Sequence, residues 1–391
     1  MKTSVINLPL HGGHAPPYLI RRMIRLSEAI SKVIVDEYGQ QEFLKRLSDP
    51  LWFQAFGCVL GFDWHSSGVT TVVTGVLKQA LKANSHGISI AGGKGKRSTT
   101  TKNDIPKLAE KYYNLSSIKI NDLLYASRMA AKIDNAAIQD GYSLYHHVIF
   151  FDQHGDWAII QQGMNRINRM ARRYHWISDS MKSFILEPHA GIICDYKSSN
   201  VLNMTSIDST DNQRVCVDLA TGNPDNLSSS VSKVSSVLAS RRGDTLDRWF
   251  ISNSVCEDEH AGNNNFIEHY EMPRKLDWTL FKRIYDINPQ SYEQLISISG
   301  VGPGTVRALS LIGELIYGTK ASWKDPVKYN FAHGGKDGVP YPVARRVYDK
   351  SIRYLFSAIE GAEIERDERI QSLKKLAEYS ARIFNTHNNE I

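Results

Sequence analysis

"YSLYHHVIFFDQHGDWAIIQQGM", Tyr142–Met164, is the stretch on which the fold turns. Its flanks, "YSLYHHVIFF" and "WAIIQQGM", are rich in aromatic and β-branched residues, which fit a pleated, half-buried surface. "DQHGD" between them supplies the Asp and Gly that a tight reversal uses. Two such runs joined this way predict a β-hairpin. Most of the remaining chain shows helical periodicity. The expectation is therefore an α+β protein: a mixed N-terminal domain holding the hairpin, then a helical C-terminal domain.

Upstream, "PYLIRRMIRLSEAISKVIVDEYGQQEFLKRL" carries apolar residues at three- and four-residue spacing, which predicts an amphipathic helix with a break near Gly39. "VLGFDWHSSGVTTVVTGVLKQALKA" reads as a strand turning into a helix. "HGISIAGGKGK" reads as a short strand entering a glycine-rich loop, and "NDIPKLAEKYY" and "NDLLYASRMAAKIDNAAI" as helices. Past residue 196 the chain becomes rich in Ser, Asn and Asp, as for a helix set among loops, with a linker near 254–266. The expected boundaries are 1–196, 197–266 and 267–391. The charged, amphipathic stretch Ser351–Phe384 reads first as a packing helix and second as a homodimer contact.

The 391 residues suffice for two or three domains, and 42% hydrophobic with 23% charged residues is a globular composition that excludes wholesale disorder. A net charge of +6 favours polyanionic partners, though weakly. Four cysteines with no CxxC pair argue against a zinc ribbon or a disulfide framework and point to a reducing, cytoplasmic setting. No run approaches the roughly 20 apolar residues of a membrane span.

"ISGVGPGTVRALSLIGELIYG", Ile298–Gly318, packs glycines and a proline against an apolar-periodic helix. Gly300 and Gly302 suit a reversal between two helices, and Pro303 suits the first turn of the second. The unpaired amides there and the positive helix end form a seat for a phosphate oxygen. The segment resembles the helix-hairpin-helix motif of DNA repair and recombination proteins. That resemblance implies sequence-indifferent contact with the DNA backbone through Gly300, Gly302, Gly304, Thr305 and Arg307. The blander readings are a plain helical corner or a protein-docking surface.

Chemistry-bearing residues gather in the N-terminal half. "FDWHSSG" supplies Asp63 and His65; "KIDNAAIQDGYSLYHH" supplies Asp134, Asp140, His146 and His147; "LEPHAG" supplies Glu187 and His189. Carboxylates and imidazoles in this number suit a divalent metal, Mg or Mn, activating water against a phosphodiester. Asp63, Asp134, Asp140 and Glu187 are the expected metal ligands, and the histidines the acid–base groups. Each also has a structural reading, since a buried His is more often a satisfied core residue than a ligand. Lys94, Lys96 and Arg97 lie in "GGKGKRSTTTK", which lacks P-loop spacing. Arg172 and Arg173 in "ARRYHW" alternate with aromatics as on single-strand binding surfaces. Lys336 in "NFAHGGKDGVPYPV" extends the basic set.

The segments "LPLHGGHAPP", "LSDPLWFQAFGCVLGFDWHSSGVTT", "GGKGK", "DNAAIQDGYSLYHHVIFFD", "WAIIQQGMN", "ARRYHW", "EPHAGI" and "FAHGGKDGVPYPV" together resemble the prokaryotic family called domain of unknown function 763. The resemblance implies a fused helix-hairpin-helix and carries no reaction with it. From the residues, the leading expectation is a metal-dependent nuclease on single-stranded or branched DNA. The alternatives are a non-catalytic DNA-binding scaffold and a metal-dependent enzyme on a small nucleotide-like substrate.

Overall fold

The computed structural model of the protein describes residues 17–61, 68–167, 169–194, 197, 198, 200–251, 271–327, 329, 330 and 345–387. The chain opens with helices α1 (Pro17–Ser48), α2 (Pro50–Leu60), α3 (Gly68–Ala80) and the single turn α4 (Ala83–His86). Strand β1 (Ile88–Lys94) leads through a tight helical turn, Gly95–Thr99, into α5 (Thr101–Tyr113) and α6 (Ser117–Lys132). A π-helical turn, Ile133–Ala137, precedes β2 (Ile138–Gln139), β3 (Ser143–Asp152), β4 (Trp157–Asn165), β5 (Met170–Ile177), β6 (Gly191–Cys194) and β7 (Leu202–Asn203). Helices α7 (Thr210–Thr221), α8 (Pro224–Ile251), α9 (Trp278–Ile287), α10 (Tyr292–Ser297) and α11 (Pro303–Leu315) follow. Strand β8 (Tyr329–Asn330) and helices α12 (Arg345–Gly361) and α13 (Arg366–His387) complete the described chain.

The hairpin expected from the sequence forms, with β3 and β4 antiparallel and Phe151 opposite Trp157 next to the turn. It sits inside a six-stranded sheet of order β1-β3-β4-β5-β6-β8, antiparallel except where β8 runs parallel to β6. Both faces are covered, so the fold is α+β in three layers. One face carries Ile88, Ile90, Val148, Phe150, Ala158, Ile160 and Ile177 against α1–α3 and the C-terminal helices. The other carries Ala91, Ile149, Phe151, Ile159, Tyr174, Trp176 and Ile192 against α5–α11. Alternation of side chains along each strand makes this division inevitable once both faces are dry. It also explains why β3 and β4 read as nearly continuous apolar runs.

Several details differ from expectation, each for a physical reason. The segment expected to begin as a strand, at the end of α2, stays helical: Asp49 caps α2 by accepting from the Leu51 and Trp52 amides, and Gly61 closes it in the left-handed region. Asp63 and His65 lie outside the described residues. "ARRYHW" is an interior strand, β5, because its arginines find acids and amides within the protein. Both cores cross the boundaries expected near residues 196 and 266: α7 packs on α11, α12 on α1, and α13 on α2. The last helices are thus packing helices, with Leu355, Ile359, Leu376 and Tyr379 buried and the Tyr379 hydroxyl donating to the Leu51 carbonyl at 3.1 Å. The break at Gly39 is present, with φ 85°. Among the described residues no helix is long and apolar enough to cross a membrane.

Arg172 shows how the sheet is locked to the C-terminal half. Its guanidinium, fully buried, reaches Asp140 at 2.9 Å and grips Asp325 through both terminal nitrogens, at 3.1 and 2.7 Å. Asp325 also accepts from the Ser198 and Val327 amides, and Asp140 from the Tyr174 hydroxyl and the Tyr142 amide. Removing one partner of such a group strands a buried charge. Asp325→Ala should lower stability by about 3 kcal/mol, read as a drop in the urea midpoint at unchanged m-value. An effect within a few tenths of a kcal/mol would show the cluster to be slack.

Candidate functional site

Three polar doublets occur in neighbouring strands: His146-His147, Gln161-Gln162 and Arg172-Arg173. The register aligns them into two adjacent rungs across the sheet. One runs Lys94, His146, Gln162, Arg173; the other runs Gly93, His147, Gln161, Tyr174. Neighbouring residues in a strand point to opposite faces, so the rungs serve opposite sides of the sheet.

The first rung meets α2 and α3. Thr70 donates to the Gln162 side chain, which in turn donates to the Tyr145 hydroxyl. Arg173 reaches His175 at 2.8 Å, Gln54 at 3.3 Å and the Pro50 carbonyl at 3.3 Å, and lies over the Phe53 ring. Thr74 and His146 meet at 3.0 Å, and the Thr74 hydroxyl also donates to its own helix, to the Thr70 carbonyl, at 2.8 Å. With its proton committed there, Thr74 accepts from His146 Nε2. Burial, then the neighbouring His147 and Lys94, push the His146 imidazole down to about 3.

The second rung meets α6 and the π-turn. Asp134, buried in that turn, accepts from Gln161 Nε2 at 2.5 Å, from His189 Nε2 at 2.5 Å and from the Trp176 indole at 3.0 Å. A carboxylate only accepts, so it fixes which end of the Gln161 amide faces it. The other end, Oε1, then faces His147 Nδ1 at 2.7 Å and requires that nitrogen to carry the proton. His147 Nε2 is left with a lone pair, and Ser127 Oγ on α6 stands 2.8 Å away. Burial also lowers the His147 pKa, keeping the ring neutral. Gly92, at φ 93°, brings β1 hard against this residue; a Cβ there would overlap the His147 carbonyl oxygen.

Ser127, His147 and Gln161 line a cavity of about 920 Å³. Its rim includes Ser98, Thr99 and Lys102 from the glycine-loop side, Arg128 and Lys132 from α6, and Val301 from the corner between α10 and α11. Lys94, Lys96 and Arg97 are exposed on the same loop. At that corner Gly300 has φ 93°, and Gly302 occupies the capping position of α11 without any side chain to satisfy its first turn. Among the described residues no hydrogen bond engages the Gly304 or Thr305 amide. The corner's carbonyls are tied down: Lys132 Nζ donates to Ile298 at 2.6 Å and Val301 at 2.8 Å, and Gln139 to Pro303 at 2.8 Å. Arg307 is half-buried and donates to Gln139 Oε1 at 2.7 Å.

The expected site residues therefore divide. Asp134, His147 and His189 belong to one network and His146 adjoins it across the sheet. Asp140 belongs to the Arg172 cluster, and Glu187 is exposed on a turn with φ 44°. Arg172 and Arg173, expected to stack against a single strand, are buried and held by the protein's own acids, amides and rings, so they are corrected to structural roles. Lys336 lies outside the described residues. Among the described residues no three His, Cys, Asp or Glu side chains converge on a point that could hold a metal ion; Asp63, one of the expected ligands, lies outside them. Sequence reasoning missed Ser127, Gln161 as its partner's orienter, and Lys132.

Residues 4–343 match the profile of the family described as "Protein of unknown function (DUF763)". No curated protein and no solved structure gives a significant match.

The buried neutral imidazoles make the fold acid-sensitive. His146 titrates near 3 when folded against an ordinary 6.5, so below 6.5 the unfolded chain takes up a proton that the fold refuses until about 3. Its contribution is complete above 6.5 and falls by about 1.4 kcal/mol per pH unit on acidification. Urea titrations at pH 7 and pH 5 should show this loss, and His146→Gln should make it shallower. Equal slopes in both proteins would contradict a neutral, buried His146.

Proposed function

We propose that this chain, which belongs to the DUF763 family, is a DNA-binding hydrolase that holds a strand's phosphates at the α10–α11 corner and cleaves a phosphodiester in the cavity beside it. The observation that carries the reading is the shared wall: Val301 of the corner and the Ser127–His147 couple border one cavity rimmed by cations. Phosphate binding at the corner is supported by unengaged amides at the start of α11, where the helix dipole also favours an anion. This is the arrangement a helix-hairpin-helix uses, with backbone groups doing the binding and no base being read. Lys102 and Arg128 at the rim, with Lys94, Lys96 and Arg97 on the adjoining loop, supply charge for successive phosphates.

In the cavity His147 is the general base. Its Nε2 lone pair is unprotonated, and Gln161 and Asp134 stabilise the imidazolium that forms when it accepts a proton. Cationic groups at the rim lower the cost of charge developing on the transferring phosphate. No step requires the carboxylates Asp140 or Glu187. Thr305 and Arg307 support the corner, Thr305 from a buried position and Arg307 through Gln139.

Gly302 and Gly304 offer a clean test, because a Cβ at either position meets nothing closer than 3.8 Å. Gly304→Glu should fold normally yet set a carboxylate at the phosphate seat, lowering affinity for labelled single-stranded DNA at least tenfold in fluorescence anisotropy. Replacing Lys94, Lys96 and Arg97 together with Ala should reduce the slope of log affinity against log salt by about 2. Absence of any DNA association by the wild-type chain at low salt would end this reading. So would intact substrate after prolonged incubation with the bound protein, with magnesium, manganese or chelator.

A further inference from the structure

We infer that Ser127 is a covalent nucleophile, activated by His147, so that the reaction passes through an ester between the Ser127 oxygen and the substrate's phosphorus. The inference deepens the hydrolase reading above and rests on it for the substrate class. It does not rest on it for the nucleophile.

A serine within a helix ordinarily turns its hydroxyl back to a carbonyl three or four residues earlier. Ser27, Ser48, Ser230 and Ser372 all do so here. Ser127 does not: its hydrogen bond is to His147 Nε2 at 2.8 Å, across from α6 to the sheet. The chain contains a built-in comparison on the other face, where Thr74 also meets an imidazole but has spent its proton on the Thr70 carbonyl. Two hydroxyl–imidazole couples thus sit on adjacent rungs with opposite polarity. Thr74 receives a proton from His146; Ser127 gives one to His147.

The polarity follows from the buried carboxylate. Asp134 sets the Gln161 amide, the amide sets the His147 tautomer, and the tautomer leaves Nε2 to take the hydroxyl proton. This is the logic of nucleophile, base and orienting acid, with a glutamine inserted between base and acid. Ser127 also lines the cavity, so an electrophile held there reaches it. A π-turn is what presents Asp134 to the sheet, and such turns recur at functional sites.

The step balances without an added reagent. Ser127 Oγ forms a bond to phosphorus as its proton passes to His147 Nε2; the P–O bond to the leaving sugar oxygen breaks, and that oxygen takes the proton from Nε2. Water then attacks phosphorus, gives a proton to Nε2, and Ser127 Oγ departs as the hydroxyl by recovering it. Ser127 and His147 are the catalytic residues; Gln161 and Asp134 are positioning residues.

The test uses the full chain and a fluorophosphonate, which phosphonylates a hydroxyl that has a working base, with fluoride leaving. Intact mass and peptide mapping should place one adduct on Ser127. Ser127→Ala should give none, His147→Gln should slow labelling at least a hundredfold, and circular dichroism should confirm that each variant is folded. Gln161→Leu should slow it about tenfold and move the rise of the pH profile to lower pH, because the amide that favours the imidazolium is gone. A folded wild-type chain that acquires no adduct at Ser127, or a His147→Gln variant that labels at the wild-type rate, overturns the inference. Labelling by a chain that binds no DNA leaves the nucleophile standing and removes the DNA reading; DNA binding without labelling does the reverse.

Discussion

Everything in this structure depends on satisfying two rungs of polar side chains buried inside a sheet that is covered on both faces. His146, Gln162 and Arg173 on one rung, and His147, Gln161 and Tyr174 on the next, lie between strands that are otherwise apolar. Leaving any of these groups unpaired costs about 1–3 kcal/mol, and more for the guanidinium. Each helix laid on the sheet accordingly brings a partner as well as an apolar face. Helices α2 and α3 bring Gln54, Thr70 and Thr74, α6 brings Ser127, and the π-turn brings Asp134. Docking is therefore specified by hydrogen bonds that only one register satisfies, in addition to area, which alone would let the layers slide.

That constraint also separates structural from chemical residues of the same type. Arg172 and Arg173 look alike in sequence, flanked by aromatics, and both are consumed by the fold, on opposite faces. His146 and His147 are adjacent, yet one ends in a hydroxyl that has already given its proton to a helix carbonyl, and the other in a hydroxyl whose proton is still available. The difference originates in what lies behind each ring. His146 Nδ1 has no hydrogen-bond partner among the described residues, whereas His147 Nδ1 is backed by an amide and then a carboxylate.

The hairpin, the Gly39 break, the helices before it and the glycine corner were legible in the sequence, because period and turn chemistry are local. Strand β5 was not, since two arginines in a row suggest solvent until the buried Asp140 and Asp325 are known, and Asp325 is far away in the chain. The doublets His-His, Gln-Gln and Arg-Arg carried a usable signal: in buried strands, paired polar residues imply one partner required on each face. Asp134 and His189 were recognisable as candidate chemistry but not as a pair. Ser127 gave no signal at all, because a lone serine in a helix is unremarkable until an imidazole is found above it.

Helix α6 connects the corner to the cavity physically. Its last residue, Lys132, holds the Ile298 and Val301 carbonyls, and Ser127 lies five residues earlier on the same helix. At 1.5 Å per residue the two are about 7.5 Å apart along the axis, a span of about two nucleotides at about 3.4 Å of helix axis each. A helix is stiff over so short a distance, so a strand seated on the corner would have its register with respect to Ser127 set by α6 and not by a flexible loop. Lys132 Nζ donates to both carbonyls, and burial, then Arg128 and Arg283, bring its pKa down to about 8. Because the unfolded chain keeps that proton up to the ordinary 10.5, this group adds stability as pH rises from about 8, whereas the histidines of the sheet lose their contribution on the acid side. The sheet, the helix and the corner form one connected frame, and within it the position of Ser127 is fixed from both ends.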